Sequence, residues 1–255
     1  MAVRRIAGQG WAEAERLRRG GSAFNPRVSL DAAGRGFALW NEPFTAVVSR
    51  FDPALGWQPP TRFGNEDGWS FGGPGSLAFD REGRAVLVWL RSRGRLQPSA
   101  IWSATFDRET WGAWIEISAP GAVEDPEVRL GSAGRGLAAW SESAGPAFAP
   151  RDVSGWGSPS PVAAAAGIDP QSLELALNDN AEAILAWSRT GEPRVGIEAS
   201  RFANGRWTAV ETLRAGLAPR PTTGIDSCGN AIVVWSESEG RGMRVFANRF
   251  DAGCR

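Results

Sequence analysis

The sequence predicts an all-β protein, a five-bladed β-propeller of four-stranded antiparallel blades, on the strength of three observations. A turn followed by a short apolar strand that ends in tryptophan occurs five times in the 255 residues. The successive tryptophans are 49, 51, 47 and 48 residues apart, and similar strand patterns flank each copy. Repeats of about 40–50 residues with four strands each are typical of propeller blades. The tryptophans are Trp40, Trp89, Trp140, Trp187 and Trp235.

Each copy begins with a tight turn of the Asp-x-x-Gly kind, or a variant of it, as in Asp226 to Gly229. Aspartate can start such a turn with its side chain, and glycine accepts the positive φ that the turn requires. The run after the turn, for example Ala231 to Trp235, is short, apolar and rich in β-branched residues. We therefore expect a strand that is covered on both faces.

The other strands of each repeat are predicted from the residues on either side of this run. Upstream lies a short strand that begins with proline, as in Pro26 to Leu30. Downstream lies a third strand that ends in an aromatic residue, as in Val48 to Phe51. A Gly-Trp step, such as Gly56-Trp57, then opens a fourth strand. Short connections between such runs favour antiparallel pairing in sequence order.

The N-terminal residues do not form a whole repeat. Gly10-Trp11 through Leu17 resembles the fourth strand from Trp207 to Leu213, whereas the last repeat stops after its third strand. We expect the N-terminal segment to supply that missing strand and to close the ring, which removes exposed strand edges. Closure between two chains is the alternative, because Ala2 to Ile6 duplicates a third strand that the last repeat already has. The prediction is one domain, 1–255, with 1–20 as closing strand and blades at about 21–63, 64–118, 119–164, 165–213 and 214–255.

The composition excludes some classes of protein and favours others. The formal net charge is zero and no basic stripe is present, which argues against nucleic-acid binding. No apolar run is long enough to span a bilayer, and residues 1–10 lack the apolar part of a signal peptide.

Cys228 precedes and Cys254 follows a predicted hairpin, so we expect a disulfide between them, with two free thiols as the alternative. A disulfide indicates an oxidising compartment, hence a secreted or cell-envelope protein.

The absence of His and Tyr limits the chemistry of the chain. Ser-His-Asp and Cys-His systems and histidine metal sites are excluded, as is a sialidase with a tyrosine nucleophile. A glycosidase with paired carboxylates is still allowed, with Glu66, Asp67 or Glu142 as candidates, although solvated loop carboxylates are the plainer interpretation. The Asp-x-x-Gly turns offer too few oxygen ligands for calcium, so we expect no metal and no cofactor.

A glutamate follows the tryptophan by two positions in three repeats, at Glu42, Glu142 and Glu237. The matching third strands carry arginine, at Arg50, Arg249 and, less regularly, Arg151. We expect ion pairs that tie two strands together, which are worth little at a surface. A repeated ligand clamp is the alternative.

The repeats are similar to a tandem propeller repeat of secreted and envelope bacterial proteins, with the pattern Pro-x-Val-x-x-Asp-x-x-Gly-x-Ala-x-Ala-x-Trp and a later Arg-Phe and Gly-Trp. The match runs from Pro26 to Phe250, nearly the whole chain. It implies the fold and leaves the function open, because propellers serve as lectins, scaffolds and enzymes. The five-bladed architecture also resembles sugar-binding propellers of the tachylectin type.

We expect a binding module that is not an enzyme, with carbohydrate as its ligand. A protein–protein scaffold of the cell envelope is the alternative, and a carboxylate glycosidase is a third, less favoured interpretation. Aromatic residues outside the repeating set favour carbohydrate, since binding sites are often lined by aromatic rings with a few polar groups. We expect a monomer or small homo-oligomer that binds carbohydrate or protein, and neither nucleic acid nor a membrane. The predicted ligand-binding residues are Trp69, Phe71, Glu66, Asp67, Arg91, Arg93, Arg95 and Trp102, and for Trp69 the alternative is a loop residue folded onto the ring.

Overall fold

The computed structural model describes residues 1–255 apart from 7, 9, 19–20, 65–67, 93, 95–97, 108, 132, 163–168, 191–194, 217–219, 240–241 and 254–255. Within these residues the chain forms 25 strands and no helix, so it has no described helix that could cross a membrane. In chain order the strands are β1 (Arg5–Ile6), β2 (Gly10–Trp11), β3 (Phe24–Leu30), β4 (Gly36–Glu42), β5 (Thr45–Asp52), β6 (Gly56–Trp57), β7 (Thr61–Phe63), β8 (Ser70–Phe79), β9 (Ala85–Ser92), β10 (Ser99–Asp107), β11 (Thr110–Trp111), β12 (Ile115–Glu116), β13 (Val123–Leu130), β14 (Gly136–Glu142), β15 (Gly145–Asp152), β16 (Gly155–Trp156), β17 (Ser160–Pro161), β18 (Asp169–Leu177), β19 (Ala183–Thr190), β20 (Gly196–Ala203), β21 (Arg206–Trp207), β22 (Glu211–Ala215), β23 (Thr222–Ile225), β24 (Ala231–Glu239) and β25 (Gly242–Phe250).

The strands form five antiparallel sheets, one for each repeat, and a separate two-stranded sheet of β1 and β2. In the first four sheets three strands pair in sequence order, and the fourth strand is divided into two pieces that both pair with the third. The first sheet is β3-β4-β5-β6 with β7 also on β5, and the next three repeat this order from β8, β13 and β18. The fifth sheet is β23-β24-β25. The predicted all-β class and five-bladed architecture are confirmed.

The repeated turns fix where the second strand of each sheet begins. The Asp31 carboxylate accepts hydrogen bonds from two backbone N–H groups of its turn, both at 2.9 Å, and Gly34 has a φ of 77°. In the fourth copy the side chain of Asn178 accepts the same two bonds at 3.0 Å, and Ala181 takes the glycine position with a φ of 60°. The turn therefore survives the loss of glycine, at the cost of a backbone conformation that alanine rarely adopts.

Apolar contacts between successive sheets make up the core. Phe37 and Leu39 of the first sheet lie in one buried cluster with Leu87 and Trp89 of the second, and the next three pairs of sheets pack in the same way. Alternate residues of a strand point to opposite faces. Each sheet thus has a trailing face, which packs on the next sheet, and a leading face with the tryptophan, which receives the preceding sheet.

The glutamates after the tryptophans have partners other than those predicted. Glu42, Glu142 and Glu237 accept hydrogen bonds from the indole N–H two residues before, at 3.3, 2.7 and 2.6 Å. Glu42 is ion-paired with Arg18, and Glu237 with Arg214. In these two pairs the arginine comes from the preceding outer segment, because residues i and i+2 share a face and place the glutamate on the leading face. Glu42 has a second, longer ion pair at 3.5 Å with Arg62 of β7 in its own sheet. The expected pairs with the third strand of the same sheet are wrong.

Closure of the ring is not shown. In the described chain β1 and β2 pair with each other, with Trp11 opposite Arg5, and no strand pairs with the outer edge of β25. Among these residues the inner strands β3, β8, β13, β18 and β23 contact one another in sequence order, and no comparable contact joins β23 to β3. The N-terminal segment lies on the first sheet, where the guanidinium of Arg4 is 5.6 Å from the ring centroid of Phe51. That the N-terminal strand completes the fifth blade stays a prediction.

Candidate functional site

The inner strands of the five sheets place one residue each at the same register position, three residues before the strand ends. Alternation of side chains along a strand puts these five residues on equivalent faces. The ion pair between Arg27 of the first sheet and Glu127 of the third shows that these faces meet at the axis. The five residues are Arg27, Ser76, Glu127, Glu174 and Thr222.

Glu127 is the centre of a hydrogen-bonded cluster that joins three sheets. Its carboxylate is buried and accepts hydrogen bonds from the guanidinium groups of Arg27 and Arg129, the latter at 2.7 Å. The hydroxyl of Ser76 donates to the same carboxylate at 3.0 Å and accepts from the backbone N–H of Val128 at 3.1 Å. Two guanidinium groups and a hydroxyl donor thus surround this buried carboxyl group.

Glu174 occupies the same register position in the next sheet, but its environment is different. It is half-buried, and burial raises the pKa of the Glu174 carboxyl above its ordinary value. The negative charge of Glu127 raises this pKa further, against the opposing influence of Arg129 and Arg27. The axis therefore holds two carboxyl groups, one surrounded by cations and one that retains its proton more readily.

A cavity of about 440 Å³ opens beside this cluster. Its polar wall includes Arg27, Ser29, Ser76 and Arg129, and three of these four side chains contact Glu127. Apolar residues of the inner strands and Leu39 of β4 form the remaining wall, and neither Glu127 nor Glu174 is among the described residues that line it. The size lies in the range of pockets that bind small ligands, and the mixture of apolar surface and a few fixed polar groups is typical of them.

Sequence reasoning missed this axial site. The inner strands were predicted, but four different residue types occupy the shared register position in the five repeats, so no motif repeats there. A signal was available in the sequence: Glu127 and Glu174 stand at the same distance before their turns. Only the ring geometry shows that positions in different repeats converge.

The structure brings together four of the eight residues predicted to bind ligand, and it places them around one arginine. The guanidinium of Arg91 lies 4.8 Å from the ring centroids of both Phe71 and Trp102, and 5.9 Å from that of Trp69. Trp69 and Trp102 pack on each other at 5.2 Å. The sequence did not indicate Trp114, which adds a fourth ring 5.7 Å from Arg91.

Burial divides these four residues into two kinds. Phe71 and Arg91 are buried, because they face each other across the β8–β9 pair and Phe71 belongs to the core cluster between the first two sheets. Trp69 and Trp102 are partly exposed. Ligand binding by this cluster stays a prediction, but Phe71 is a packing residue and not an exposed stacking platform. Glu66, Asp67, Arg93 and Arg95 lie outside the described residues.

The other two candidate groups are a carboxylate and a disulfide. Glu142, considered as a glycosidase carboxylate, accepts the indole N–H of Trp140 at 2.7 Å and so anchors a core side chain. Cys228 is disulfide-bonded. Its predicted partner Cys254 lies outside the described residues, so the pairing stays a prediction.

Comparisons with known proteins identify the fold. Neither a family model nor a curated protein sequence matches the chain. An alpha-L-arabinanase of Penicillium chrysogenum complexed with arabinobiose is similar with a TM-score of 0.62, at 16% identity over 89% of this chain and 77% of that one. An alpha-L-arabinofuranosidase of Fusarium graminearum with arabinobiose gives 0.59, at 13% identity over 89% and 77%. A mutant Aleuria aurantia lectin with alpha-methyl-L-fucoside gives 0.55, at 12% identity over 90% and 78%.

These matches contradict the prediction that the chain is not an enzyme. Proteins with the same fold include an arabinanase and an arabinofuranosidase as well as a lectin. The prediction took Glu66, Asp67 and Glu142 as solvated loop carboxylates and did not consider the carboxyl groups of the inner strands. Hydrolysis of glycosides needs neither His nor Tyr, since two carboxyl groups in suitable environments are sufficient.

Proposed function

We propose that this chain is a carbohydrate-active β-propeller whose axial cavity binds and hydrolyses a glycoside. The observation that carries the proposal is the pair Glu127 and Glu174, which occupy equivalent positions on adjacent sheets in contrasting environments. Glycosidases use such a pair, in which one carboxyl group is protonated and the other is ionised. The fold shared with glycosidases and a lectin agrees with this proposal.

Each carboxyl group has a role that follows from its neighbours. Glu174, whose pKa is raised, donates a proton to the glycosidic oxygen as the bond to the anomeric carbon breaks. Glu127, paired with Arg27 and Arg129, stabilises the positive charge that develops on the sugar ring. Water then adds to the anomeric carbon, and its proton restores the acid.

The test is a panel of aryl glycosides that includes an α-L-arabinofuranoside and an α-L-fucoside. Glu127→Gln and Glu174→Gln should each lower the rate of cleavage by about 100-fold or more. Glu124→Gln is the matched control, because Glu124 is an exposed carboxylate on the same strand as Glu127 and should leave the rate unchanged. Cleavage that survives both axial substitutions would show that these carboxyl groups are not the catalytic pair.

A glycan array with the same variants separates binding from catalysis. If an oligosaccharide binds, Arg27→Ala weakens that binding and no cleavage occurs, the axial cavity is a carbohydrate-binding site and the hydrolysis part of the proposal is wrong. If no aryl glycoside is cleaved and no glycan binds, the proposal fails as a whole.

We also propose that the N-terminal segment closes the ring as the outer part of the fifth blade. Arg4 stacks on Phe51 of the first sheet at 5.6 Å, as Arg201 of the fourth sheet stacks on Phe250 of the fifth at 4.5 Å. The N-terminal segment therefore lies on the first sheet as the third strand of one blade lies on the next. In a five-bladed ring the blade before the first is the fifth.

A second contact supports the same position. Arg18 is ion-paired with Glu42 of the first sheet, as Arg214 of the fourth sheet is with Glu237 of the fifth. Arg18 follows Trp11 by seven residues, and Arg214 follows Trp207 by the same number. Closure would give the axial cavity a complete wall of five inner strands.

The compartment is a further part of the proposal. Since Cys228 is disulfide-bonded, we place the protein in an oxidising environment, secreted or in the cell envelope. When the protein is unfolded without a reductant, titration with a thiol reagent should detect no free cysteine. The same titration after reduction should detect two. Two reactive thiols before reduction would contradict this placement.

A further inference from the structure

One aromatic pair recurs at the outer edge of the blades. Phenylalanine at the end of the third strand packs on the first tryptophan of the fourth strand, with ring centroids 5.1, 5.3 and 5.2 Å apart and interplanar angles of 55°, 56° and 57°. In each case the two residues are opposite each other in the strand register. The phenylalanines are 9%, 8% and 7% exposed. The pairs are Phe51 with Trp57, Phe106 with Trp111, and Phe202 with Trp207.

The end of β25 and the N-terminal segment each carry one of these two residues without the other. Phe250 ends β25 at the matching position but is 40% exposed, because the described fifth sheet has no fourth strand. Trp11 begins the N-terminal fourth-strand pattern and is 69% exposed. Its register partner is Arg5, which stands where the first, second and fourth sheets carry phenylalanine and the third carries Arg151, opposite Trp156. Phe250 of the fifth sheet thus lacks a tryptophan partner, and Trp11 of the N-terminal segment lacks a phenylalanine partner.

The spacing in the N-terminal segment confirms that Trp11 is the equivalent residue. Arg4 precedes Trp11 by seven residues, as Arg50 precedes Trp57. Arg4 stacks on Phe51 at 5.6 Å, and Arg50 stacks on Phe106 at 5.4 Å. The segment therefore follows the repeat at its arginine and its tryptophan and departs from it at the aromatic position between them.

We infer that the free edge of β25 is the docking site for β2 of the same chain, with Trp11 packed on Phe250 and Gly10 opposite Asp251. This inference rests on the proposed closure and specifies its contacts. The step is a strand exchange, in which β25 replaces β1 as the partner of β2. Arg249 then takes the position of Arg4 above Phe51, since each arginine directly precedes the residue that pairs with Trp11, which is Arg5 in the structure and Phe250 in the inferred pairing.

The trailing face of the fifth sheet favours this arrangement. Ile232 is 43% exposed and Val245 is 75% exposed. The equivalent residues of the fourth sheet, Ile184 and Ile197, are buried against the fifth. Packing of the fifth sheet on the leading face of the first would cover the exposed apolar residues in the same way, so strand exchange and burial act together.

A photo-crosslinker tests the contact directly. Trp11→p-benzoylphenylalanine in the full chain should, on irradiation, give a crosslink to the peptide that contains residues 248–252, in the monomer band of a denaturing gel. A crosslink found in a dimer band would assign the edge of β25 to a second copy and overturn the inference. Crosslinks confined to residues 1–6, or none to residues 248–252, would overturn it as well.

A double-mutant cycle separates failure of this contact from failure of closure. Trp11→Ala and Phe250→Ala should each lower the melting temperature, and the double variant should melt close to the lower of the two, because both remove the same pair. Val153→Ala is the control, since Val153 is an exposed apolar residue in the turn between β15 and β16 of the third sheet. Additive losses, or no loss, would overturn the Trp11–Phe250 contact. Closure itself would still stand if removal of residues 1–20 destabilises the protein.

Discussion

The fourth and fifth sheets carry nearly the same pattern of residues and differ sharply in burial. Ile197 in β20 is fully buried, whereas Val245 at the matching position of β25 is 75% exposed. The difference comes from their neighbours, because the trailing face of the fourth sheet packs on the fifth and that of the fifth has no described sheet upon it. Burial in a repeat protein is thus supplied by the next repeat.

The largest effect should come from removing residues 1–20, which contact the first sheet through Arg4 and Arg18. The truncated chain should lose on the order of 10 °C in melting temperature, or aggregate, because the leading face of the first sheet and the edge of β25 are then both open. Differential scanning calorimetry and light scattering measure this. A truncated chain that melts like the parent and stays monomeric would refute closure by the N-terminus.

Truncation to alanine at equivalent positions on the trailing faces of the fourth and fifth sheets should cost different amounts of stability. Ile197→Ala should cost about 3 kcal/mol, since it leaves a cavity between the fourth and fifth sheets. Val245→Ala should cost about 1 kcal/mol in the full chain if the ring closes in solution, and less than about 0.5 kcal/mol in the chain without residues 1–20. Urea denaturation of the four proteins gives these values. Equal costs of Val245→Ala in both backgrounds would mean that the fifth sheet stays open.

The two axial carboxyl groups extend the comparison to the inner strands. Glu127→Gln should lower stability at pH 7 by about 2 kcal/mol, because Arg27 and Arg129 lose a charged partner. Urea denaturation at pH 7 checks this, and Glu124→Gln on the same strand serves as control.

Glu174→Gln should act in the opposite direction. The pKa of Glu174 is raised by burial, so the folded protein holds this proton more tightly than the unfolded chain. Its contribution is therefore favourable below the ordinary pKa of glutamate and is lost as the pH rises through the raised pKa. The variant should melt above the parent at pH 8 and no higher than it at pH 4. The same difference at both pH values would show that Glu174 does not titrate in this way.

The smallest effect should come from Trp69→Ala, directly before β8 of the second sheet. This sheet packs between the first and third sheets. It should lower stability by about 1 kcal/mol, because Arg91 and Trp102 each lose a stacking partner. If the aromatic cluster binds the ligand as the sequence predicts, affinity should also fall by about 1–3 kcal/mol. Calorimetry with a glycan identified on the array measures both quantities, and unchanged affinity would limit Trp69 to a packing role.

Different parts of the molecule were predictable to different degrees. The tryptophan strands were predicted well because they depend on local signals, a turn followed by an apolar run, repeated five times. The partners Arg18 of Glu42 and Arg214 of Glu237 were not, because they belong to the preceding outer segment. Phe71 was expected in a ligand surface because it lies outside the repeat pattern, but a bulge in β8 and its register with Arg91 place it in the core.

The sequence by itself determined the class of fold, the number of sheets and the order of strands in each, because turns and strand periodicity act over a few residues. Tertiary structure alone decided that Arg27 and Glu127, 100 residues apart, form an ion pair at the axis. It also decided that Trp11 and Phe250 are left exposed at the two ends of the chain. The physical reason is that convergence at an axis and burial of a face depend on how sheets are arranged around one another, and no local signal records that arrangement.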